Sequence, residues 1–357
     1  MSNLTVPVSS SFRSRKPLPR TAPALVGVFA VALGLLLALI GVKWVGAAVL
    51  AVVSYLVVMT VWSGAVEGRR KAVDRLMTGL IWVAFGIVCI PLGWLIYNVV
   101  HFGLHDLNGS FLSTTMRNIG PTDVGGGVYA ATIGTLLITL GAAVIAVPLG
   151  LMTAVYLVEY GRGTRMARVI TLLVDVMTGI PSIVAGLFAL SIWTLLFGFG
   201  TKMGITVSVA LALLMTPTIV RSTEEMLRLV PDDLREASYA LGVPKWRTIT
   251  KVVLRTSIGG ILTGVMLAVA RVVGETAPIL VILDPGSVNY NGSLFGGSLP
   301  TLPSFIRAQF HDISVPSPGD PAFDRMWAGA LVLILIVMIL NLIARFIGKI
   351  FAPKTGR

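Results

Sequence analysis

LVPDDLREASYALGVPKWRTITKVVLRTSIGG, residues Leu229 to Gly260, is a polar, basic island between two apolar spans. It is long enough for two short helices with a glycine between them. In a chain this apolar, such an island calls for a soluble partner. The chain around it has 357 residues, 55% of them hydrophobic and 12% charged, with a mean hydropathy of +0.88. It carries several apolar runs near the ~20 residues that cross a bilayer, so it reads as an all-α, polytopic membrane protein. Its single cysteine, Cys89, lies inside an apolar run, can close no intrachain disulfide and reads as a packing residue.

Eight spans are expected, roughly Ala24 to Ile40, Trp44 to Trp62, Leu76 to Val100, Tyr129 to Val158, Val169 to Phe199, Ile205 to Val220, Ile258 to Leu283 and Met326 to Phe346. The formal charge of +12 raises the question of nucleic acid, and the placement of the 28 Lys and Arg answers it. The N-terminal segment, the Glu67 to Arg75 loop, the Arg162 to Arg168 loop, the opening island with its approach from Arg221, and the C-terminus hold 22 of them. The intervening loops hold 5, and Arg271 stands inside a span. Such alternation is the positive-inside pattern. It puts both termini and the island in the cytoplasm, accounts for the charge as topology and leaves no case for nucleic acid. The sixth span is short and contains Pro217, but merging it with the fifth breaks the alternation.

Residues 1 to 23 read as a disordered cytoplasmic tail, and the first apolar run as a retained span rather than a signal peptide. Residues 24 to 75 form an appended hairpin with a basic linker, residues 76 to 350 a six-span body, and residues 351 to 357 a short cytoplasmic tail. The outward stretches LHDLNGS, PTDVGGG and DPGSVNYNGSLFGGS have turn-forming composition. They either meet an external partner or are simply solvated. Trp44, Trp62, Tyr129 and Trp327, near span ends, read as interfacial anchors.

Within the island, Asp233 stands three residues before Glu236, a capping-box spacing that starts a helix through Leu234, Ala237, Ala240 and Leu241. Gly242 breaks it, and Pro244 suits the first position of a second helix carrying Trp246, Ile249, Val252 and Val253. The pair reads either as a knob for a groove in another protein or as an amphipathic pair lying on the membrane.

EASYALG followed by KVVL resembles the E-A-A-x(3)-G-x(9)-I-x-L-P loop of the inner-membrane permease subunits of ATP-binding-cassette (ABC) importers, with Glu236, Ala237, Gly242, Val252 and Leu254 at matching positions. Ser238 replaces the second alanine. Arg255 replaces the proline, which implies a less kinked entry to the seventh span. The preceding TPTIVRSTEEMLRLVP is also similar to these permeases. The resemblance covers roughly Tyr129 to Ile350 and implies a type I importer permease core, here with an N-terminal two-helix extension. It implies that residues 229 to 256 are a coupling loop docked on an ATPase, with Glu236, Ala237, Ser238, Gly242 and Trp246 at the contact.

GIPSIVAGLF (Gly179 to Phe188) and ARVVGETAPIL (Ala270 to Leu280) resemble the phosphate-uptake permeases, and GETAP is similar to the PstA-type subunit rather than its PstC-type partner, where GETMA is usual. The partners so implied are a PstC-type second permease, a PstB-type ATPase dimer and a PstS-type external phosphate-binding protein, in a bacterial cytoplasmic membrane. No G-x-x-x-x-G-K-[ST] occurs in the chain, so ATP and Mg are expected on the partner ATPase, and no cofactor is expected on this chain.

The residues themselves point to a pathway. Arg271 lies about 20 Å along a helix entering near Ile258, by the 1.5 Å rise, and an arginine at that depth costs about 2.5 to 3.5 kcal/mol unless it faces a cavity or a partner. Glu275, four residues on, is expected on the same face. The two are either a self-neutralised pair or an anion site whose guanidinium grips a tetrahedral oxyanion while the carboxylate speeds release. Gly179 and Pro181 break the fifth span. That break is either a plain kink or a half-helix aiming free N–H groups and the Ser182 hydroxyl at an anion. Asp175 either partners an arginine or lines a water-filled exit. A membrane enzyme is disfavoured: His101, His105 and His311 read as outward-loop residues, and although His101 and His105 stand four apart, Gly103 lies between them and nothing else completes a site. A permease for molybdate or sulfate, and a non-transporting scaffold for phosphate sensing, are the rival readings.

Overall fold

The computed structural model describes residues 17–19, 21–283, 292–297 and 299–351. Most of the expected N-terminal tail, residues 352–357 of the expected C-terminal tail and the first half of DPGSVNYNGSLFGGS lie outside the described residues. Among the described residues there are helices and connections but no strand. The chain divides into two compact units, residues 1–97 and 98–357.

The first unit contains α1 (Ala22–Leu39), α2 (Trp44–Val66) and the greater part of α3 (Arg69–Asp106). Pro23 sits in the first turn of α1, where its missing N–H has no helical partner to lose. Helices α1 and α2 form a close hairpin, turned at Gly41 with φ of 98°. A Cβ at Gly34 would lie 2.9 Å from that of Ala51. Helix α3 has 38 residues, about 57 Å at 1.5 Å each, which exceeds the ~30 Å hydrocarbon core. The basic stretch expected to be a linker is therefore its first two turns. The third span likewise continues past Val100 to Asp106.

In the second unit, short α4 (Gly109–Ser113) precedes α5 (Tyr129–Val155), which ends in a π-turn at Tyr156–Tyr160. Helices α6 (Arg165–Thr178) and α7 (Ser182–Phe197) meet at a 110° bend. Then come α8 (Gly204–Arg228), α9 (Asp232–Ala240) and α10 (Lys245–Thr248). A second π-turn at Ile249–Val253 leads into α11 (Leu254–Val273). Helices α12 (Ala277–Ile282), α13 (Leu302–Asp312) and α14 (Pro321–Phe351) complete the unit. Among the described residues, seven stretches are long and apolar enough to cross a membrane, and the bent α6 and α7 pair makes an eighth if it counts as one span.

Helix α8 is the centre of this unit and packs against α5, α6, α7 and α11. The sixth span, short in the sequence reading, has 25 residues. It extends to Arg228 because its last two turns pair their charges with one another. Glycines admit its neighbours: a Cβ at Gly141 would lie 2.7 Å from Ser208 Oγ, and one at Gly150 2.7 Å from Ile219. Ser208 Oγ also donates to the Ile138 carbonyl of α5 at 3.0 Å. The same hydroxyl lies 3.3 Å from the Gly204 carbonyl of its own helix, so the bond to Ile138 adds to a contact that the glycines already make close.

Helix α13 was not expected. Its start has a built cap, in which Thr301 Oγ1 accepts from the Ser304 N–H and Ser304 Oγ accepts from the Thr301 N–H. Arg325, counted from sequence as an outward-loop charge, is instead 2% exposed. Its guanidinium donates to Gln309 Oε1 at 2.6 Å and to the carbonyls of Asp123, Gly125 and Pro121 at 2.7, 3.1 and 2.8 Å. Trp327 packs in a cluster with Phe102 and Phe323.

Candidate functional site

The opening island is one short helix and the foot of a long one, not two short helices. Pro231 occupies the N-cap of α9 and makes no side-chain cap, so the expected capping box from Asp233 to Glu236 is absent. Asp232 and Asp233 fall in the first turn instead, where carboxylates complement the helix dipole. The helix ends in a Schellman arrangement. The Gly242 N–H donates to the Tyr239 carbonyl at 2.9 Å and the Val243 N–H to the Ser238 carbonyl at 3.2 Å. Gly242 adopts φ of 75°, a region that glycine enters without steric cost. Pro244 is then the N-cap of α10, one position before that expected, and α10 runs through the second π-turn into α11 as a single span, Lys245–Val273. Arg255 lies within that helix, which continues unbroken past it.

Arg235 fastens α9 to the body. Its side chain is 8% exposed. It donates through Nε and Nη2 to Glu159 Oε1 at 3.1 and 2.9 Å, through Nη1 to the Val230 carbonyl at 2.6 Å and Asp232 Oδ1 at 3.0 Å, and through Nη2 to the Leu227 carbonyl at 3.0 Å. Glu159 belongs to the π-turn that ends α5, so α9, the end of α5 and the end of α8 share one guanidinium. Lys245 Nζ lies 4.7 Å from the centre of the Tyr160 ring, a cation–π contact that ties α10 to the same π-turn. A second tie is the 2.8 Å hydrogen bond between the buried hydroxyls of Ser238 and Thr248, which joins α9 to α10.

These contacts decide which face is free. Glu236, Ala237, Gly242 and Trp246 are exposed, together with Leu234, Tyr239 and Leu241. Ser238, expected at the ATPase contact, points inward and is 8% exposed; its role is the bond to Thr248. Nothing in the sequence reading singled out Arg235 or Glu159. Arg235 was one of seven loop cations, and the available signal was a lone carboxylate closing an apolar span.

Asp175 on α6 pairs with Arg221 on α8. Arg221 Nη1 also donates to Glu224 at 2.8 Å, and the other oxygen of Glu224 accepts from Arg228 at 2.5 Å. This chain of charges joins α6 to α8 just below the break. Gly179 caps the end of α6, Pro181 is the N-cap of α7, and Ser182 is its first residue.

The other expected pathway residues flank a second break. Helix α11 ends at Val273, with Gly274 as its cap, so Glu275 is not one turn further along the same helix as Arg271. Arg271 is exposed and Glu275 half-buried. Among the described residues, neither side chain forms an ion pair or hydrogen bond. The break falls where Pro278, which cannot donate an N–H, occupies the first turn of α12, which begins at Ala277. The two breaks are related through their outgoing helices. Helix α7 packs on α12, so closely that a Cβ at Gly186 would lie 2.8 Å from the Pro278 Cα. The structure therefore joins the Gly179 to Ser182 break to the Gly274 to Thr276 break, and Asp175 to Arg221, but not Arg271 to Glu275.

Residues 146–357 match the family described as binding-protein-dependent transport system inner membrane component. The phosphate transport system permease protein PstA 1 of Mycobacterium tuberculosis (strain ATCC 25618 / H37Rv) is 47% identical over 280 residues, 78% of this chain and 88% of that protein. The phosphate transport system permease protein PstA of Yersinia pestis is 37% identical over 287 residues, 80% of this chain and 92% of that protein. Among solved structures, an inward-facing form of the MetNI methionine ABC transporter is 19% identical with a TM-score of 0.47, covering 63% of this chain and 94% of that one. With more than half of its length matched, and the set of apolar helices such a component needs, this chain belongs to the binding-protein-dependent transport system inner membrane component family.

Proposed function

We propose that the chain is a permease subunit of an ATP-driven importer for inorganic phosphate. It forms the path with a second, similar permease, takes substrate from an external phosphate-binding protein and couples through α9 to a separate ATPase that binds ATP and Mg. Both termini lie in the cytoplasm in this reading. The observation that carries it is the 47% identity, over most of both chains, to a protein named as a phosphate transport permease. The exposed face of α9, apolar at Leu234, Tyr239 and Leu241 and anchored from behind by Arg235, supports the coupling role.

Phosphate is a tetrahedral anion, and a guanidinium offers it two parallel hydrogen bonds. Arg271, in the last turn of α11 and without a described counter-ion, supports an anion contact there. The start of α7 supports another, since the first N–H groups of a helix lack intrahelical acceptors and Ser182 adds a hydroxyl. Uptake of labelled phosphate by cells whose own permease is replaced by Arg271→Ala tests the reading. Uptake should fall at least tenfold while the ATPase still co-purifies; undiminished uptake would sink the anion site. Competition by sulfate and molybdate assigns the anion, and phosphate should compete best.

A further inference from the structure

We propose that the groove between α2 and α3 in the first unit is a binding site for an anionic phospholipid, with an acyl chain along the groove and the phosphate headgroup at Lys71. This goes beyond the transport reading and does not rest on it. The groove is lined by Tyr55 and Met59 of α2 and by Trp82, Gly86 and Ile90 of α3, with Arg75 at its end, and encloses about 590 Å³. The helices touch at Gly79, where a Cβ would lie 2.6 Å from Leu56 Cδ2, and part at Gly86, where a Cβ would meet nothing within 4 Å.

Shape suits an extended chain. From Arg75 to Ile90 the groove runs about 22 Å at 1.5 Å per residue. Its length exceeds the ~15 Å of one leaflet's hydrocarbon, so a chain entering at the Arg75 end lies wholly within it.

Charge selects the headgroup. Arg75 is already committed, donating to both oxygens of Glu67 at 2.8 and 3.0 Å. That carboxylate also accepts from Ser63 Oγ and from the Leu18 N–H, each at 2.8 Å. Lys71 is one turn outward on the same face as Arg75. It lies 3.8 Å from Glu67 with its side chain 55% exposed. Arg69 and Arg70 flank it, so the mouth from Glu67 to Arg75 holds four cations against the carboxylates of Glu67 and Asp74. A basic pocket between helices at the bilayer surface suits an anionic headgroup.

Trp82, 67% exposed in the groove, is a built-in reporter. The full chain is placed in phosphatidylcholine nanodiscs containing either brominated phosphatidylglycerol or brominated phosphatidylcholine. The part of the fluorescence lost in Trp82→Phe is then followed. Half-quenching is expected at a severalfold lower mole fraction of phosphatidylglycerol, and Lys71→Gln should raise that fraction about fivefold, as for one basic residue near a membrane surface. Gly86→Leu, which has room and improves helix propensity, should bring the two half-quenching fractions together, since bulk lipid still reaches the exposed face of Trp82. Three results overturn the proposal: equal half-quenching fractions for the two lipids, a preference for phosphatidylglycerol that survives Gly86→Leu, or a Trp82 that neither lipid quenches, which would mean that another protein segment fills the groove.

Discussion

The bond between Glu159 and Arg235 is the most direct mechanical link between the proposed ATPase contact and the spans, and its loss has a calculable size. Glu159→Ala leaves a guanidinium whose side chain is 8% exposed without its principal counter-ion. Removing one partner of a buried pair costs about 3 to 5 kcal/mol. Arg235 retains the carbonyls of Val230 and Leu227 and the exposed carboxylate of Asp232, which puts the expected loss near the lower end, about 3 kcal/mol. Glu159→Gln keeps an acceptor but drops the charge and should cost about 1.5 kcal/mol, roughly the difference between charged and neutral hydrogen bonds. Removing both partners in Glu159→Ala with Arg235→Ala should cost less than the sum of the single changes, with a coupling of about 2 kcal/mol. Denaturant melts of the purified chain measure these values. For function, the complex in liposomes is assayed for phosphate moved per ATP hydrolysed. In Glu159→Gln the ATPase should remain bound and active while that ratio falls severalfold. A wild-type ratio in both Glu159→Gln and Arg235→Gln, with additive stability effects, would refute the latch.

Three further outcomes are expected. Ser238→Ala strands the buried Thr248 hydroxyl and should destabilise by about 1 to 3 kcal/mol without weakening ATPase binding, whereas Ala237→Asp on the exposed face should weaken binding with little change in melting; pulldown and melting curves separate the two. Gly186→Leu forces α7 off the Pro278 backbone and should cost about 1 to 3 kcal/mol by overpacking, with Gly86→Leu as a control that melts no earlier than wild type. Arg75 and the Leu18 N–H hold the Glu67 carboxyl at about 2 instead of 4.5. Because the unfolded chain then binds the proton more readily, this contribution to stability is complete above about pH 4.5 and is lost as pH falls through about 2. Melts recorded by tryptophan fluorescence from pH 7 down to 2 should show that loss in wild type and lack it in Glu67→Gln.

What was legible in the sequence was what depends on neighbours along the chain. Span count and the island at Leu229 to Gly260 follow from local hydropathy and charge, and Gly242 marks the end of α9 because the Schellman turn needs its positive φ. The break at Gly274 to Thr276 was readable in principle, since Gly274 and Pro278 carry the ordinary stop and start signals of helices. Reading the apolar run as one span concealed it, and with it the separation of Glu275 from the Arg271 face. Arg235 and Glu159 stand 76 residues apart, and nothing local marks them as partners. The inward turn of Ser238 likewise depends on Thr248 lying across α10. The candidate site was therefore visible as segments, while its internal wiring belongs to tertiary packing.

That wiring gives Arg255 a context. A proline there would interrupt the backbone ladder at the foot of the seventh span; here the ladder is interrupted instead by the π-turn at Ile249–Val253, where the Leu254 N–H reaches back five residues to the Ile249 carbonyl. The helix that ends in Glu159 is wound the same way, with the Gly161 N–H donating to the Tyr156 carbonyl. Each π-turn adds a residue to its turn and so rotates the residues beyond it by about 100° relative to an ordinary helix. The helix that brings Glu159 to the loop and the helix that leaves the loop thus carry matching defects, one beside Arg235 and the other beyond Thr248. Both defects are tied to α9, the first through Arg235 to Glu159 and the second through Ser238 to Thr248. Arg255 stands just past that second π-turn, within a helix that continues unbroken to Val273.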